Sequence, residues 1–204
     1  MSDSPWKSST DRRSEREEKR IAVLRTAARA FNDVGYYNTS LDDIARRLNV
    51  TKPTLYYYIK NKEEILFECV RIGLERLESA SSEVIGHGGS AYDELVAVMT
   101  AYVGVVTMEF GMCVIRVGEE PLTEESRRTL RALKRRIDLK FRSLIERGIA
   151  EGSIAACDPK IAAFTLAGAL SWVARWYQPD GPQTADAIAR HSVDLLLNGL
   201  RPRG

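Results

Sequence analysis

The chain has 204 residues, which is long enough to bury a core in one or two domains. Its composition, 44% hydrophobic and 28% charged, is that of a water-soluble globular protein rather than a disordered or fibrous one. No apolar run reaches the roughly 18 residues of a membrane span, and the polar residues 1–20 are unlike a secretory signal. We therefore expect a cytoplasmic protein that does not cross a membrane.

Cysteine and histidine are too sparse for a metal site. Cys69, Cys113 and Cys157 are far apart in the sequence, and the chain has two histidines, His87 and His191. We expect reduced, buried thiols and neither a bound metal nor a cofactor. The sequence has no recognisable nucleophile–base pair or glycine-rich phosphate loop, so we expect no catalytic residues and no enzyme.

Charge is distributed unevenly along the chain. Residues 1–62 hold 13 Lys and Arg against 8 Asp and Glu, a net charge of +5. Residues 63–204 hold 17 against 20, a net charge of −3. A basic first third on a slightly acidic remainder favours a polyanion partner for the first third alone. A merely solvated charged face would account for the same numbers, so charge alone does not decide.

The first predicted element is a polar segment followed by a helix. Residues 1–17 have no periodic apolar pattern and predict a mobile arm. From Glu18 onward, apolar residues recur at three- and four-residue steps, which predicts a helix that Gly35 terminates. The residues of this stripe are Ile21, Leu24, Ala27, Ala28 and Phe31.

Two short helices follow, joined by the tight turn NVT. Ser40 can cap the first, and Thr51 can cap the second, which has Pro53 in its first turn. Asn61 can cap the next helix, with Glu64 at the capping-box position. The first short helix has the apolar stripe Leu41, Ile44, Ala45 and Leu48. This arrangement predicts a helix-turn-helix, whose second helix enters the major groove of DNA.

That second helix carries three consecutive tyrosines with lysines nearby. Leu55 and Ile59 lie four residues apart and should face the core. The other side chains should face DNA phosphates and groove walls, because the ring of a tyrosine packs on apolar surface while its hydroxyl contacts water or polar groups. They are Lys52, Thr54, Tyr56, Tyr57 and Tyr58. For Tyr57, packing on the first helix or on a partner protein is the open alternative.

The remainder of the chain is helical in its periodicity. Helices are predicted at 62–84, 92–109, 123–151, from 159 and at 185–200, with one short helix or irregular chain at 109–123. Neither a strand nor an internal repeat is predicted. We therefore predict an all-α fold of about nine helices: after the arm, a helix-turn-helix head of three helices (residues 18–62) and a larger helical body (residues 63–204).

Residues 39–66, TSLDDIARRLNVTKPTLYYYIKNKEEIL, resemble the DNA-binding signature of the tetracycline-repressor (TetR-type) family. The resemblance covers residues 18–66 specifically. It implies a homodimeric repressor that binds a palindromic double-stranded operator with two heads and is released when a small molecule enters the body. Pro53 stands where many members have glycine, although some members carry proline there.

Carried over by position, the resemblance also implies which residues contact DNA. Thr39 and Ser40 match phosphate contacts of the family, and we count Thr51 with them as a candidate. The positions that match the DNA-contacting pattern of the recognition helix and its flank are Lys52, Thr54, Tyr56, Tyr58 and Lys62.

Residues 168–200 resemble a branch of the family whose members often sense acyl-CoA thioesters. Trp172 and Trp176 lie four residues apart and flank Arg175, which could pair with a ligand phosphate or carboxylate, or with a structural glutamate. Adaptable apolar residues that could line the same pocket, or belong to plain core, are Met108, Phe110 and Met112. An acyl-CoA is therefore the predicted effector.

The last two helices are predicted to form the dimer contact. The helix from Pro159 is rich in small residues, including Ala167 and Gly168, which permit close approach of a second helix. Two helices from each subunit would make a four-helix bundle. The alternative is that both helices are core of a monomer.

The sequence leaves two other regulatory functions open beside the ligand-responsive repressor. One is a regulator of drug efflux that senses hydrophobic xenobiotics. The other is a DNA-binding protein that takes no ligand. The effector, the operator, the regulated genes and the choice between repression and activation also stay open.

Overall fold

The computed structural model describes residues 9–86 and 88–199, with side chains from residue 13 onward. These ranges contain nine α-helices and no strand, so the predicted all-α fold is confirmed. The helices are α1 (Ser9–Val34), α2 (Leu41–Arg47), α3 (Lys52–Tyr56), α4 (Lys62–Val84), α5 (Ala91–Val106), α6 (Glu109–Arg116), α7 (Glu124–Glu151), α8 (Pro159–Trp176) and α9 (Ala185–Asn198). The predicted helix end at Leu200 lies outside the described residues.

Helix α1 begins at Ser9, nine residues earlier than the sequence predicts. The predicted mobile arm is therefore wrong for residues 9–17, and residues 1–8 lie outside the described part. The added turns have no apolar stripe, and charged pairs one turn apart join their C-terminal part to the rest of the helix: Lys19 with Glu15 at 2.7 Å and Arg20 with Glu17 at 3.7 Å. Such pairs stabilise a helix without contributing to the hydrophobic pattern from which its start was predicted.

A sharp corner separates α5 from α6. Helix α5 ends at Val106, three residues before its predicted end, and the two helix axes differ by 87°. Gly111 makes the corner possible, because a Cβ there would lie 2.0 Å from the carbonyl oxygen of Val105. The segment between α5 and α7, where one short helix was expected, thus contains the eight-residue α6.

Helix α4 connects the head to the body. It packs against α1 in the head and against α5, α6 and α7 in the body, and the buried apolar residues form one continuous cluster. Cys69 of α4 lies in this core and donates to the carbonyl oxygen of Leu24 at 3.3 Å. Cys113 is also buried, whereas Cys157 is exposed, so the expectation of buried thiols is wrong for Cys157.

Among the described residues, no single helix is both long enough and apolar enough to cross a membrane. Together α5 and α6 would pass by length and composition, but they meet at the 87° corner.

Candidate nucleic-acid interface and internal cavity

The helix-turn-helix is built as the sequence predicts. The Ser40 hydroxyl accepts from the Asp43 backbone N–H at 3.1 Å, and the Asp43 carboxylate accepts from the Ser40 N–H at 2.9 Å. The Ser40 hydroxyl also donates to the Asp43 carboxylate at 2.6 Å, and this bond, with the one from the Ser40 N–H, lowers the pKa of Asp43 to about 2. In the turn, Asn49 takes the left-handed conformation, with φ of 54°. The capping box and the turn together fix the angle at which α3 leaves α2.

The face of α3 that packs into the head is the predicted one. Leu55 and Ile59 are almost completely buried. Thr51 occupies the N-cap position of α3 but makes no capping bond to the backbone, contrary to expectation. Its hydroxyl instead lies 2.8 Å from that of Thr54. Both hydroxyls are at the surface, where they remain candidates for polar contact with DNA.

The outward face of α3 presents aromatic rings and one lysine. Tyr56 is 51% exposed and Tyr57 63%, whereas Tyr58 is half-buried and meets the Tyr57 ring edge to face at 5.1 Å. The Lys52 ammonium pairs with Asp42 of α2 at 2.8 Å. An exposed surface of phenol tips and a cation is suited to phosphate oxygens and groove walls.

Lys62 begins α4 beside the helix-turn-helix. Its ammonium lies 4.2 Å from the centre of the Tyr36 ring, a cation–π distance. Partial burial lowers the pKa of Lys62. The ring therefore positions this lysine beside the segment that joins α1 to α2.

Thr39 does not have the surface position that a phosphate contact needs. It is 2% exposed, and its hydroxyl donates to the carbonyl oxygen of Gly35 at 2.8 Å. The prediction that Thr39 contacts phosphate is therefore wrong, because its hydroxyl is used inside the head to anchor the α1–α2 turn. Ser40 is exposed, although its hydroxyl takes part in the capping box.

Tyr37 is a surface residue that the sequence reasoning missed. It is 75% exposed and packs edge to face on Tyr36 at 5.3 Å. It lies in the turn between α1 and α2, two residues from the Thr39 anchor. The signal was present in the stretch GYYNTS, where two tyrosines stand in a polar turn.

The body contains a cavity of about 260 Å³ between α4, α5, α6, α7 and α8. Its wall is mostly apolar, and representative lining residues are Leu74, Leu77, Val114, Ile137, Phe141 and Ala163. The polar groups on the wall include the Tyr102 hydroxyl, which lies 2.8 Å from that of Ser171. Burial raises the pKa of Tyr102, so its phenol is neutral at physiological pH. Lys134 and Asp138 also border the cavity.

The structure does not bring the predicted ligand residues to this cavity. None of the six lines it: Met108, Phe110, Met112, Trp172, Arg175 and Trp176. Phe110 is fully buried and lies beneath the guanidinium of Arg76, and Met112 is also core. Met108 is exposed at the start of α6.

The two tryptophans lie at the surface of α8 and not on the wall of this cavity. Trp172 is 64% exposed and Trp176 48%. Arg175 is exposed too, and it donates to the carbonyl oxygen of Arg116 at 3.4 Å rather than to a glutamate. Glu119, one of the glutamates that could have paired with Arg175, instead pairs with Lys134 at 2.5 Å.

Helix α6 joins the cavity to the head. Val114 and Ile115 lie on the cavity wall. At the start of the helix, the Glu109 carboxylate pairs with Arg25 of α1 at 2.7 Å, and the Glu109 carbonyl accepts from the Asn32 amide at 2.8 Å. One short helix thus contacts both the cavity and the head.

The part of the chain that the structure describes has no group of three or more His, Cys, Asp or Glu side chains that could hold a metal ion.

Both parts of the chain match known families. Residues 23–69 match the model of the bacterial regulatory proteins of the tetR family. Residues 88–200 match a tetracyclin repressor-like C-terminal domain. Among curated proteins, the transcriptional repressor KstR2 of Rhodococcus jostii is 27% identical over 188 residues, which is 89% of this chain and 91% of KstR2.

Solved structures agree in sequence and fold. The regulator PfmR of Thermus thermophilus is 31% identical with a TM-score of 0.81, over 88% of this chain and 99% of PfmR. AibR, solved in complex with isovaleryl coenzyme A and operator DNA, is 29% identical with a TM-score of 0.77, over 87% of this chain and 97% of AibR. The chain therefore belongs to the tetracycline-repressor family of transcriptional regulators, a family of ligand-responsive repressors rather than of enzymes.

Proposed function

We propose that this repressor binds a palindromic operator as a homodimer through its heads, residues 18–62, and releases it when an acyl-CoA binds the body, residues 63–204. The observation that carries the proposal is the position of α6, which contacts the effector cavity and the head at once. A DNA-binding role also implies action in the cytoplasm, where the operator would be.

The cavity favours an acyl group over a whole large ligand. Its volume of about 260 Å³ is slightly below the roughly 300–1,000 Å³ of pockets that enclose drug-sized molecules. An apolar wall suits a short or branched acyl chain, with the nucleotide part of coenzyme A left outside. AibR, which shares the fold, was solved with isovaleryl coenzyme A.

Two polar features of the cavity suit a thioester. The neutral Tyr102 hydroxyl can donate to a thioester carbonyl if it exchanges its bond with Ser171. Lys134 is 43% exposed at the edge of the cavity and pairs with Glu119, a partner that it would exchange for the anionic part of coenzyme A. The ligand site is thus assigned to the cavity in place of the tryptophan cluster.

Release of DNA requires that the effector bind the DNA-free conformation of the dimer more tightly than the conformation whose two heads are spaced to fit the operator. Val114 and Ile115 would move when the cavity fills, because they form part of its wall. The same helix is tied to α1 through Glu109, so a shift of α6 shifts the head. In a dimer, such a shift changes the distance between the two recognition helices.

The dimer contact is assigned to the outer face of α8 and α9. Four large apolar side chains on these helices are between 47% and 66% exposed and do not line the cavity: Ile161, Trp172, Trp176 and Leu195. Exposed large apolar side chains of this kind are typical of a subunit interface. Ala167 does not belong to it, because it lines the cavity, so Ala167→Arg would damage the effector site and is a poor test of the dimer.

The test is release of DNA from a protein–operator complex, measured by fluorescence anisotropy. Acyl-CoAs of increasing chain length, the matching free acids and cationic hydrophobic drugs are titrated separately. We expect release by short or branched acyl-CoAs and none by the free acids. Release by cationic drugs alone would reject the acyl-CoA effector and favour a regulator of drug efflux. Release by no compound in the panel would favour a DNA-binding protein without a ligand.

A pair of variants locates the site. Ala163 is buried on the cavity wall, and Ala163→Met fills part of that space. Ala132→Met adds the same side chain to an exposed position of α7 outside the cavity. We expect Ala163→Met to abolish release while it keeps operator binding, and Ala132→Met to behave as wild type. Normal release from Ala163→Met would reject the cavity as the effector site.

A further inference from the structure

The early part of α1 lies against the end of the recognition helix. The Arg16 guanidinium sits 4.9 Å from the centre of the Tyr57 ring. That ring is 63% exposed and directly follows α3. An arginine stacked on an aromatic face keeps the edge of its guanidinium, with its N–H donors, free for another partner.

The charges of this segment are sorted by helix face. At about 100° per residue, the four cations of residues 13–20 fall within an arc of about 120°: Arg13, Arg16, Lys19 and Arg20. The carboxylates Glu15, Glu17 and Glu18 lie outside that arc. Further along α1, the same face of the helix carries the buried residues Val23 and Ala27. The basic arc is thus the N-terminal extension of the apolar stripe that packs into the core. Beyond the core, therefore, arginines replace apolar residues on the side of α1 that faces α3.

Two of the four cations already have carboxylate partners. Lys19 pairs with Glu15 at 2.7 Å, and Arg20 pairs with Glu68 of α4 at 3.0 Å. Arg13 and Arg16 are exposed and have no carboxylate partner within residues 13–86 and 88–199. Beside a recognition surface, two arginines on one face that pair with no carboxylate of the described side chains complement a polyanion.

We propose that Arg13 and Arg16 form a second DNA contact, which binds phosphates beside the groove that receives Tyr57. The proposal rests on the DNA-binding function of the head and extends the interface beyond residues 18–62. Helix α1 begins seven residues before Arg16, so about 10 Å of helix extends past the Tyr57 stack. The contact is to the backbone of duplex DNA and carries no base specificity.

The experiment measures how the dissociation constant depends on salt, with a random-sequence DNA duplex as the probe. The test variant is Arg13→Gln combined with Arg16→Gln. The matched control is Arg128→Gln combined with Arg135→Gln, which removes the same charge from exposed positions of α7. Arg16→Lys keeps the charge and gives the conservative variant.

We expect the test variant to bind the duplex more weakly. The slope of log K against log salt should become less negative by about two, which is about one for each phosphate contact that is lost. The control should keep the wild-type slope, and Arg16→Lys should keep most of it. Circular dichroism and melting temperature check that each variant is folded.

Two results would overturn the proposal while DNA binding by the head stands. One is an unchanged affinity and slope in the test variant. The other is a weaker affinity with an unchanged slope, which would mean that Arg16 only positions Tyr57. If the wild type itself showed no salt-dependent binding to duplex DNA, the proposed function would fail as well.

Discussion

Arg116, at the end of α6, donates from Nε to the carbonyl oxygen of Ala174 in α8 at 2.6 Å. The same guanidinium donates to the carbonyl oxygen of Tyr177 at 2.9 Å and to that of Asn32 in α1 at 3.4 Å. One side chain therefore satisfies carbonyl groups at the ends of two helices. Because α8 carries the proposed dimer face and α1 belongs to the head, Arg116 holds together the parts that must move relative to each other.

Arg116→Met should destabilise the fold by about 1–3 kcal/mol, because three carbonyl groups lose a charged donor. Arg175→Met is the matched control, since Arg175 is exposed and makes one long bond of 3.4 Å; its effect should be within about 0.5 kcal/mol. Chemical denaturation measures both. Equal stability of the two variants would contradict the role given to Arg116.

The corner between α5 and α6 depends on Gly111. Gly111→Ala places a Cβ 2.0 Å from the Val105 carbonyl oxygen, so the backbone must shift, at a cost of about 1–3 kcal/mol or more. Gly104→Ala adds the same methyl group in α5 where the Cβ meets no atom within 4 Å. That control should stabilise the protein by up to about 1 kcal/mol. If both variants raised, or both lowered, the melting temperature relative to the wild type, the role given to Gly111 in the corner would be contradicted.

Asp42 places a negative charge beside the proposed DNA surface. Its carboxylate bonds to Lys52 and raises the pKa of that lysine. Asp42→Asn should strengthen binding to any duplex and steepen its salt dependence, because Lys52 is then free to meet a phosphate. Asp186→Asn, in the exposed first turn of α9, is the control and should change neither quantity. Weaker binding by Asp42→Asn would contradict the orientation given to this surface.

The proposed dimer face can be tested with one charge. Trp172→Glu puts a carboxylate in the middle of the exposed apolar face of α8 and should shift the protein toward monomer, as measured by light scattering over a range of concentrations. Leu139→Glu replaces an apolar residue of α7 that is 50% exposed and should leave the assembly unchanged. A wild type that is monomeric at micromolar concentration would reject the homodimer.

The head could be predicted from the sequence because its determinants are local. The caps are formed by Ser40 and Asn61 with backbone groups three residues further on. The buried face was predicted from Leu55 and Ile59, which are only four residues apart. Thr39 was misplaced because its burial depends on Ala30 and Gly35, which lie in the preceding helix and turn. The start of α1 was missed because charged pairs, not apolar periodicity, hold it.

The proposed effector site could not be predicted from the sequence because its wall comes from five helices. Leu74 and Ser171 both line the cavity, yet nearly a hundred residues separate them in the chain. Trp172 and Trp176 are apolar and one turn apart, a pattern that fits a core, a pocket wall or a subunit face equally well. Their exposure in the structure, rather than their spacing, favours the proposed subunit face.

The central claim is that the cavity and the head are coupled through α6. Its most direct test is the affinity of the effector acyl-CoA for the free protein and for the operator-bound protein, measured by calorimetry. The account predicts that the operator weakens effector binding by about 5- to 150-fold, a coupling of about 1–3 kcal/mol, and that the effector weakens operator binding by the same factor. Equal effector affinity with and without operator would contradict it, because a ligand that binds both states equally shifts neither.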